Sequence, residues 1–276
     1  MKLISITSLV TILLIFSCDT TTSKKDEEYV SNKEQTQEVE KQKEELQKPE
    51  PTDPKDTEVW SPKPSVVTFK EKNAIPSDAI VLFDGSNLDA WKSKNDGGAP
   101  QWTINEDGSM TVKDKTGDII TKENFGSVQL HLEWRSDPNN TQTNQNRSNS
   151  GVFFQGLYEV QILNNNDNDT YVNGMVGSVY KQNPPLVMSA KTTGEWNTYD
   201  IVFHAPEFDE DGKRIKAGTI TVLFNGVLVQ DHFELEGSTE YIGYPKNNAH
   251  GDGPIILQDH GDMSGVGYRN IWVRKL

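Results

Sequence analysis

The chain of 276 residues carries a single cysteine, Cys18. One thiol can neither close an intramolecular disulfide nor supply a zinc–thiolate set, so the fold must be held by its own core. Positive charge is also scarce: 27 Lys and Arg stand against 41 Asp and Glu, a net charge of −14. A phosphate backbone is gripped by clustered Lys and Arg, which excludes nucleic acid as a partner. The one long apolar run, residues 9–16, is too short to span a bilayer. No basic amphipathic helix is present to lie on a membrane surface. A phosphate loop, a dinucleotide fingerprint, a Gly-x-Ser-x-Gly elbow and a His-Glu-x-x-His pair are all missing. Helical periodicity is absent beyond residue 65, and so is any repeat of fixed period.

What is present begins with Lys2, the apolar run, and Ser17 just before Cys18. A positive start, a short apolar stretch and a small residue before a cleavage point form a secretory signal over residues 1–17. Ile15-Phe16-Ser17-Cys18 resembles a bacterial lipobox, which implies lipidation at Cys18 and an exported protein tethered by that lipid. The expected placement is the outer membrane or its periplasmic side, and Lys25-Asp26-Glu27-Glu28 hints at the cell surface. Residues 19 to 65 hold 8 Lys and 13 Asp or Glu, with almost no large apolar side chains. Such a stretch cannot bury enough surface to offset the entropy of ordering it, so residues 18–78 are expected to be a disordered linker.

From Ala79 the pattern changes to short apolar segments separated by Gly, Asn, Asp and Pro. Residues 128–135 alternate perfectly, with Val128, Leu130, Leu132 and Trp134 on one side and Gln129, His131, Glu133 and Arg135 on the other. Residues 158–162 alternate likewise, and strands are also expected over 199–204, 219–224, 227–233, 254–260 and 268–274. Asn225-Gly226 supplies a primed hairpin turn between two of them. Many short strands, Gly-rich turns and no crossover helices predict an all-β, antiparallel sandwich or jelly roll over residues 79–276. The polar loop 136–148 is expected to be mobile. Trp91, Trp102, Trp134, Trp196 and Trp272 are expected in the core.

Three same-face polar pairs stand out: Glu133 with Arg135, Glu159 with Gln161, and Gln258 with His260. A merely wet sheet face would be richer in Lys, Thr and Ser. On neighbouring strands the three pairs would form one patch of two carboxylates, a guanidinium and an imidazole, able to bind sugar hydroxyls and move protons. His260 is the side chain best suited to act as a base near neutral pH.

Read in order, the motifs resemble one family. They are Leu82-Phe83-Asp84-Gly85, Asn149-Ser150-Gly151-Val152-Phe153-Phe154, Tyr158-Glu159-Val160-Gln161-Ile162-Leu163, Gly177-Ser178-Val179-Tyr180, Gly194-Glu195-Trp196, Leu257-Gln258-Asp259-His260-Gly261 and Tyr268-Arg269-Asn270-Ile271-Trp272. The chain from 79 to 276 is similar to the 3-keto-disaccharide hydrolases. That resemblance implies a concanavalin A-like sandwich acting on glycosides already oxidised at C3, assisted in some members by a divalent metal ion. It implies His260, Glu159 and Glu133 as catalytic residues, with His260 or Glu159 as the base. Gln161, Gln258, Arg135 and Tyr180 would bind the sugar. Met188-Ser189-Ala190 and the run from Met263 to Gly267 depart from the family's pattern at the rim. Two other readings stay open: an ordinary two-carboxylate glycosidase, and a carbohydrate-binding module without activity.

Overall fold

The structure, a computed structural model, describes residues 50–69 and 75–276. The signal segment, Cys18 and most of the charged linker lie outside the described residues. The chain divides after Ser65 into two compact units. In the first, Asp53 caps a single 3-10 turn over Pro54–Thr57 by accepting from the Lys55 amide at 2.9 Å, and none of the turn's residues is buried. Among the described residues no helix is long and apolar enough to cross a membrane.

The second unit is an antiparallel β-sandwich. Its larger sheet runs in the order Val227–Glu234, Thr219–Phe224, Asn197–His204, Val128–Arg135, Gly267–Lys275, Met110–Thr111, Thr103–Ile104, with Ile80–Phe83 also paired to Gly267–Lys275. The smaller sheet runs Trp91–Ser93, Ile119–Thr121, Ile256–Leu257, Ser150–Phe154, Tyr158–Ile162. A separate two-stranded ribbon pairs Glu207–Phe208 with Arg214–Lys216.

Alternation decides which side chains meet between the sheets. Val128, Leu130, Leu132 and Trp134 are buried to within 1 % of complete, while the residues between them are partly exposed. From the smaller sheet Val152, Phe154, Tyr158, Val160 and Ile162 join the same core. The sheets touch through Phe154 and Phe203, stacked at 4.9 Å between ring centroids, and through the Tyr199 hydroxyl, which donates to the Gln161 carbonyl at 2.7 Å. Asn225 and Gly226 both take positive φ, 53° and 76°, as the primed turn between Thr219–Phe224 and Val227–Glu234 requires.

Several expectations are corrected here. The strand expected over 254–260 is confined to Ile256–Leu257, because the Asp259 amide turns away to bond Asp118 Oδ1 at 3.0 Å. The loop 136–148 is knitted by side chains: Arg147 Nη1 donates to the Asn166 carbonyl at 2.8 Å and Gln145 Nε2 to Thr170 Oγ1 at 2.8 Å. Three of the five tryptophans, Trp91, Trp102 and Trp134, are in the core; Trp272 is buried on the outer face against His131, and Trp196 lies partly exposed, with the Arg135 and Arg269 guanidinium carbons 4.6 and 4.3 Å from its ring centroid. Ordered structure also reaches upstream of Ala79. Ile75 is buried, and Asp78 accepts from Arg274 Nη2 at 2.6 Å.

Candidate active site

On the smaller sheet, the side chains that do not enter the core point to the opposite, outer face. Glu159 and Gln161 alternate with the core residues of Tyr158–Ile162, and Gly151 stands opposite Gln161 on the neighbouring strand. Gln258, just past Ile256–Leu257, donates its amide to the Gly151 carbonyl at 3.1 Å and so stays in line with the sheet. Glu159, Gln161 and Gln258 line a pocket of about 220 Å³ together with Asn149, Tyr180, Tyr241 and His260.

Glu159 is the centre of this pocket's chemistry. The residue is 5 % exposed, and burial, aided by the nearby Asp118 charge, pushes its carboxyl up to about 8. A carboxyl in that state is a neutral acid at pH 7. Gly151 makes the space it occupies: a Cβ there would lie 2.3 Å from Glu159 Oε1 and 2.9 Å from the Phe153 ring. Turning the Gln161 amide so that its NH2 faces the carboxyl places that nitrogen 3.2 Å from Glu159 Oε1 and 3.1 Å from the Ser150 carbonyl. The backbone amide of Glu159 donates to Thr239 Oγ1 at 3.0 Å, which fastens the 239–241 segment beside it.

His260 sits at the pocket's open side, its side chain 35 % exposed, with Nδ1 2.9 Å from Asp262 Oδ2. An imidazole that donates from Nδ1 to a carboxylate keeps Nε2 as a lone-pair acceptor. The turn that carries this pair is pinned on both sides: Gly261 donates to Asp259 Oδ1 at 3.0 Å, and Met263 donates to Asp114 Oδ1 at 2.7 Å. Two further acceptors, Asn149 Oδ1 and Gln258 Oε1, are buried without a protein partner. Unpaired buried acceptors are costly unless something donates to them, and sugar hydroxyls are suitable donors.

Tyr180 is 8 % exposed, and its hydroxyl is 2.6 Å from that of Tyr171; burial pushes its phenol well above the usual range. Its backbone amide donates to the Glu159 carbonyl at 3.1 Å, so the 177–180 segment runs along the free edge of the sheet and closes one side of the pocket.

The structure therefore gathers Glu159, Gln161, Gln258, His260 and Tyr180 of the expected set, and separates Glu133 and Arg135 from them. Glu133 lies on the outer face of the larger sheet, where it accepts from Arg269 Nε at 2.7 Å and Asn270 Nδ2 at 3.0 Å. Arg135, on the same outer face, packs on Trp196 and pairs with Asp107 at 3.4 Å. Alternation rightly turned the two strand-borne pairs outward, while Gln258 and His260 reach the pocket from beyond a strand end; but a sandwich has two outward faces and they look in opposite directions. The expected patch of two carboxylates is thus one carboxyl and one Asp-supported imidazole. Asp262 and Tyr241 went unnoticed in the sequence, and Asn149 was read there only as part of a motif; of these, Asp262, two residues from His260 in a Gly-containing turn, left the most usable signal.

A divalent metal would find one carboxyl, one imidazole and amide oxygens here. No group of three or more His, Cys, Asp or Glu side chains is assembled to hold an ion among the described residues. The steps derived for this pocket are those that the chain's own residues can perform.

The tightness around Gly151 gives a direct expectation. Gly151→Ala should displace the Glu159 carboxyl and overpack the sheet face, costing about 1–3 kcal/mol of stability and lowering turnover on the order of 10²-fold through misplacement of the acid. Urea midpoints read beside turnover would check both; an unchanged rate in the folded variant would show that the Glu159 position is not critical.

A family model described as the 3-keto-alpha-glucoside-1,2-lyase-like domain matches residues 78–274. A proposed glycosyl hydrolase from Parabacteroides distasonis is 49 % identical, with a TM-score of 0.78 over 81 % of this chain and 97 % of its own. A second protein of that description from the same organism is 20 % identical, with a TM-score of 0.54 over 76 % of this chain and 98 % of its own, and it shares the fold. A search of the curated proteins finds no match to this chain.

Proposed function

Since this chain belongs to the 3-keto-alpha-glucoside-1,2-lyase-like family, we propose that it cleaves the glycosidic bond of 3-keto-glycosides by elimination across C1 and C2, followed by hydration. The observation that carries this reading is the pairing, in one pocket, of a buried neutral carboxyl, Glu159, with an imidazole backed by a carboxylate, His260 with Asp262.

A ketone at C3 acidifies the proton on C2. His260 Nε2 takes that proton, and the electron pair is delocalised onto the C3 oxygen as an enolate. The positive imidazolium that results is stabilised by Asp262. The enolate then expels the aglycone from C1, and Glu159 gives its proton to the departing glycosidic oxygen. Breaking the C1–O bond leaves a C1=C2 double bond conjugated with the ketone. Water then adds its oxygen to C1, a proton returns to C2, and Glu159 recovers its own. The sum is hydrolysis. Asn149 Oδ1 and Gln258 Oε1 accept from ring hydroxyls, and Gln161 holds the carboxyl in place. General acid or base assistance of this kind contributes on the order of 10²–10⁴-fold.

An ordinary two-carboxylate glycosidase needs a second carboxylate across the scissile bond. Glu159 is the one carboxylate that lines this pocket among the described residues. A pocket that merely held sugar would have no use for a neutral acid sharing its lining with a carboxylate-supported imidazole.

The decisive test is incubation with a glucoside oxidised at C3 beside its unoxidised parent. Cleavage of the keto-glucoside alone is the expected outcome. Equal cleavage of both would favour displacement at C1, and binding of both without cleavage would favour a module that only binds.

A further inference from the structure

At about 220 Å³ the pocket is smaller than the roughly 300–1,000 Å³ of sites that engulf a drug-sized ligand. It seats one ring, so the rest of a glycoside must lie outside the mouth. One border of that mouth is Tyr241. Lys181 Nζ donates to the Tyr241 carbonyl at 2.5 Å and lies 4.6 Å from the centroid of its ring. The same ammonium is 5.6 and 5.7 Å from the rings of Tyr180 and Tyr171. One cation thus ties the outer tyrosine to the inner wall. Tyr241 is nevertheless 71 % exposed, and beyond it Ile242 and Tyr244 are 82 % and 91 % exposed. Tyr241 thus leaves a broad ring in water at the edge of the pocket, with two more exposed large side chains following it within three residues, and such a ring marks a surface that something covers.

We propose that Tyr241 is the platform for the second ring of the glycoside, which rests its flat apolar face on the Tyr241 ring while the oxidised ring occupies the pocket. The proposal builds on the glycoside reading given above. It follows from the limited room inside and the continuity of the tyrosine with the lining. The occupant is a leaving group with a flat ring, whether a sugar or an aryl group; a methyl aglycone has nothing to stack.

The test compares three C3-oxidised substrates, the methyl and 4-nitrophenyl α-glucosides and maltose, on the wild type and on Tyr241→Ala. Stacking contacts of this size change affinity by about 2- to 10-fold. The wild-type preference, as kcat/KM, for each ring-bearing substrate over the methyl glucoside should therefore fall by that factor in the variant, through KM. A fall for only one of the two would identify the kind of ring the platform takes. Preferences that do not move for either, at unchanged thermal midpoint, would overturn the proposal and leave the reaction intact. If the wild type turns over none of the three, the glycoside-cleaving reading fails. The platform is then decided by calorimetric titration with unoxidised 4-nitrophenyl and methyl α-glucosides. Preferential binding of the aryl compound, weakened in Tyr241→Ala, would uphold it, and no preference would end it.

Discussion

Replacing Glu159 by Gln is expected to lower turnover of a 3-keto-glucoside by about 10² or more while making the protein more stable at pH 8. Both effects come from one cause. In an unfolded chain the carboxyl releases its proton near 4.5, whereas in the folded protein burial holds the proton until about 8. Between those values the folded state binds the extra proton. The favourable contribution is fully present below about 4.5 and drains away as the pH climbs through 8. Gln, of nearly the same shape and always neutral, removes that dependence, so the variant should gain on the order of a few kcal/mol over the wild type at pH 8. The same ionisation sets an activity limit. Wild-type kcat/KM should decline as pH rises through about 8, where the acid of the free protein loses its proton, and that limb should vanish in Glu159→Gln. Chemical denaturation at pH 5 and pH 8, beside a pH–rate profile, measures both. A variant equally destabilised at the two pH values would show that the folded carboxyl is not held neutral.

His260→Ala is expected to cost about 10² or more in turnover, and isotope exchange separates its role from that of Glu159. In deuterated water the wild type should place deuterium at C2 of the product, since H2 leaves and a solvent proton returns. Removing the base should abolish C2 exchange together with cleavage. Removing the acid with Glu159→Gln should slow cleavage yet leave exchange into unreacted keto-glucoside running, because forming the enolate does not require the leaving group to depart. Asp262→Asn should lower kcat and slow C2 exchange in parallel, with little change in KM, since Asp262 bonds the imidazole and lies outside the pocket lining. Mass spectrometry of recovered substrate and product reads all three variants. Loss of exchange in Glu159→Gln to the same degree as in His260→Ala would show that the roles are wrongly assigned.

The strands were legible because burial on one side of a sheet enforces a period of two. Residues 128–135 and 158–162 declared both their extent and their inward faces, and Asn225-Gly226 declared its turn. The same period explains why Glu133 and Arg135 were misplaced. Alternation tells inward from outward, but it carries no information about which of two sheets a strand joins, and that assignment rests on pairings over 100 residues apart, such as Glu133 with Arg269. Glu159 was legible by its type and position, though not its protonation. That depends on enclosure by the 177–180 segment and the 239–241 loop, and on the missing side chain at Gly151. Asp262 was obscured because its partnership with His260 arises from a turn, where no regular period points one side chain at another.

The smaller sheet puts its greasy side chains on one surface and its reactive ones on the other, a separation with evolutionary weight. Tyr158, Val160 and Ile162 answer to the fold, while Glu159 and Gln161, threaded between them, answer to the substrate. Mutation at the exposed border of the reactive surface, from Tyr241 to Tyr244, can therefore proceed without unsettling the interior. Lineages that inherit this scaffold are free to diversify in what they accept, and an engineer who exchanged Tyr241 to Tyr244 would be changing the menu while leaving the kitchen standing.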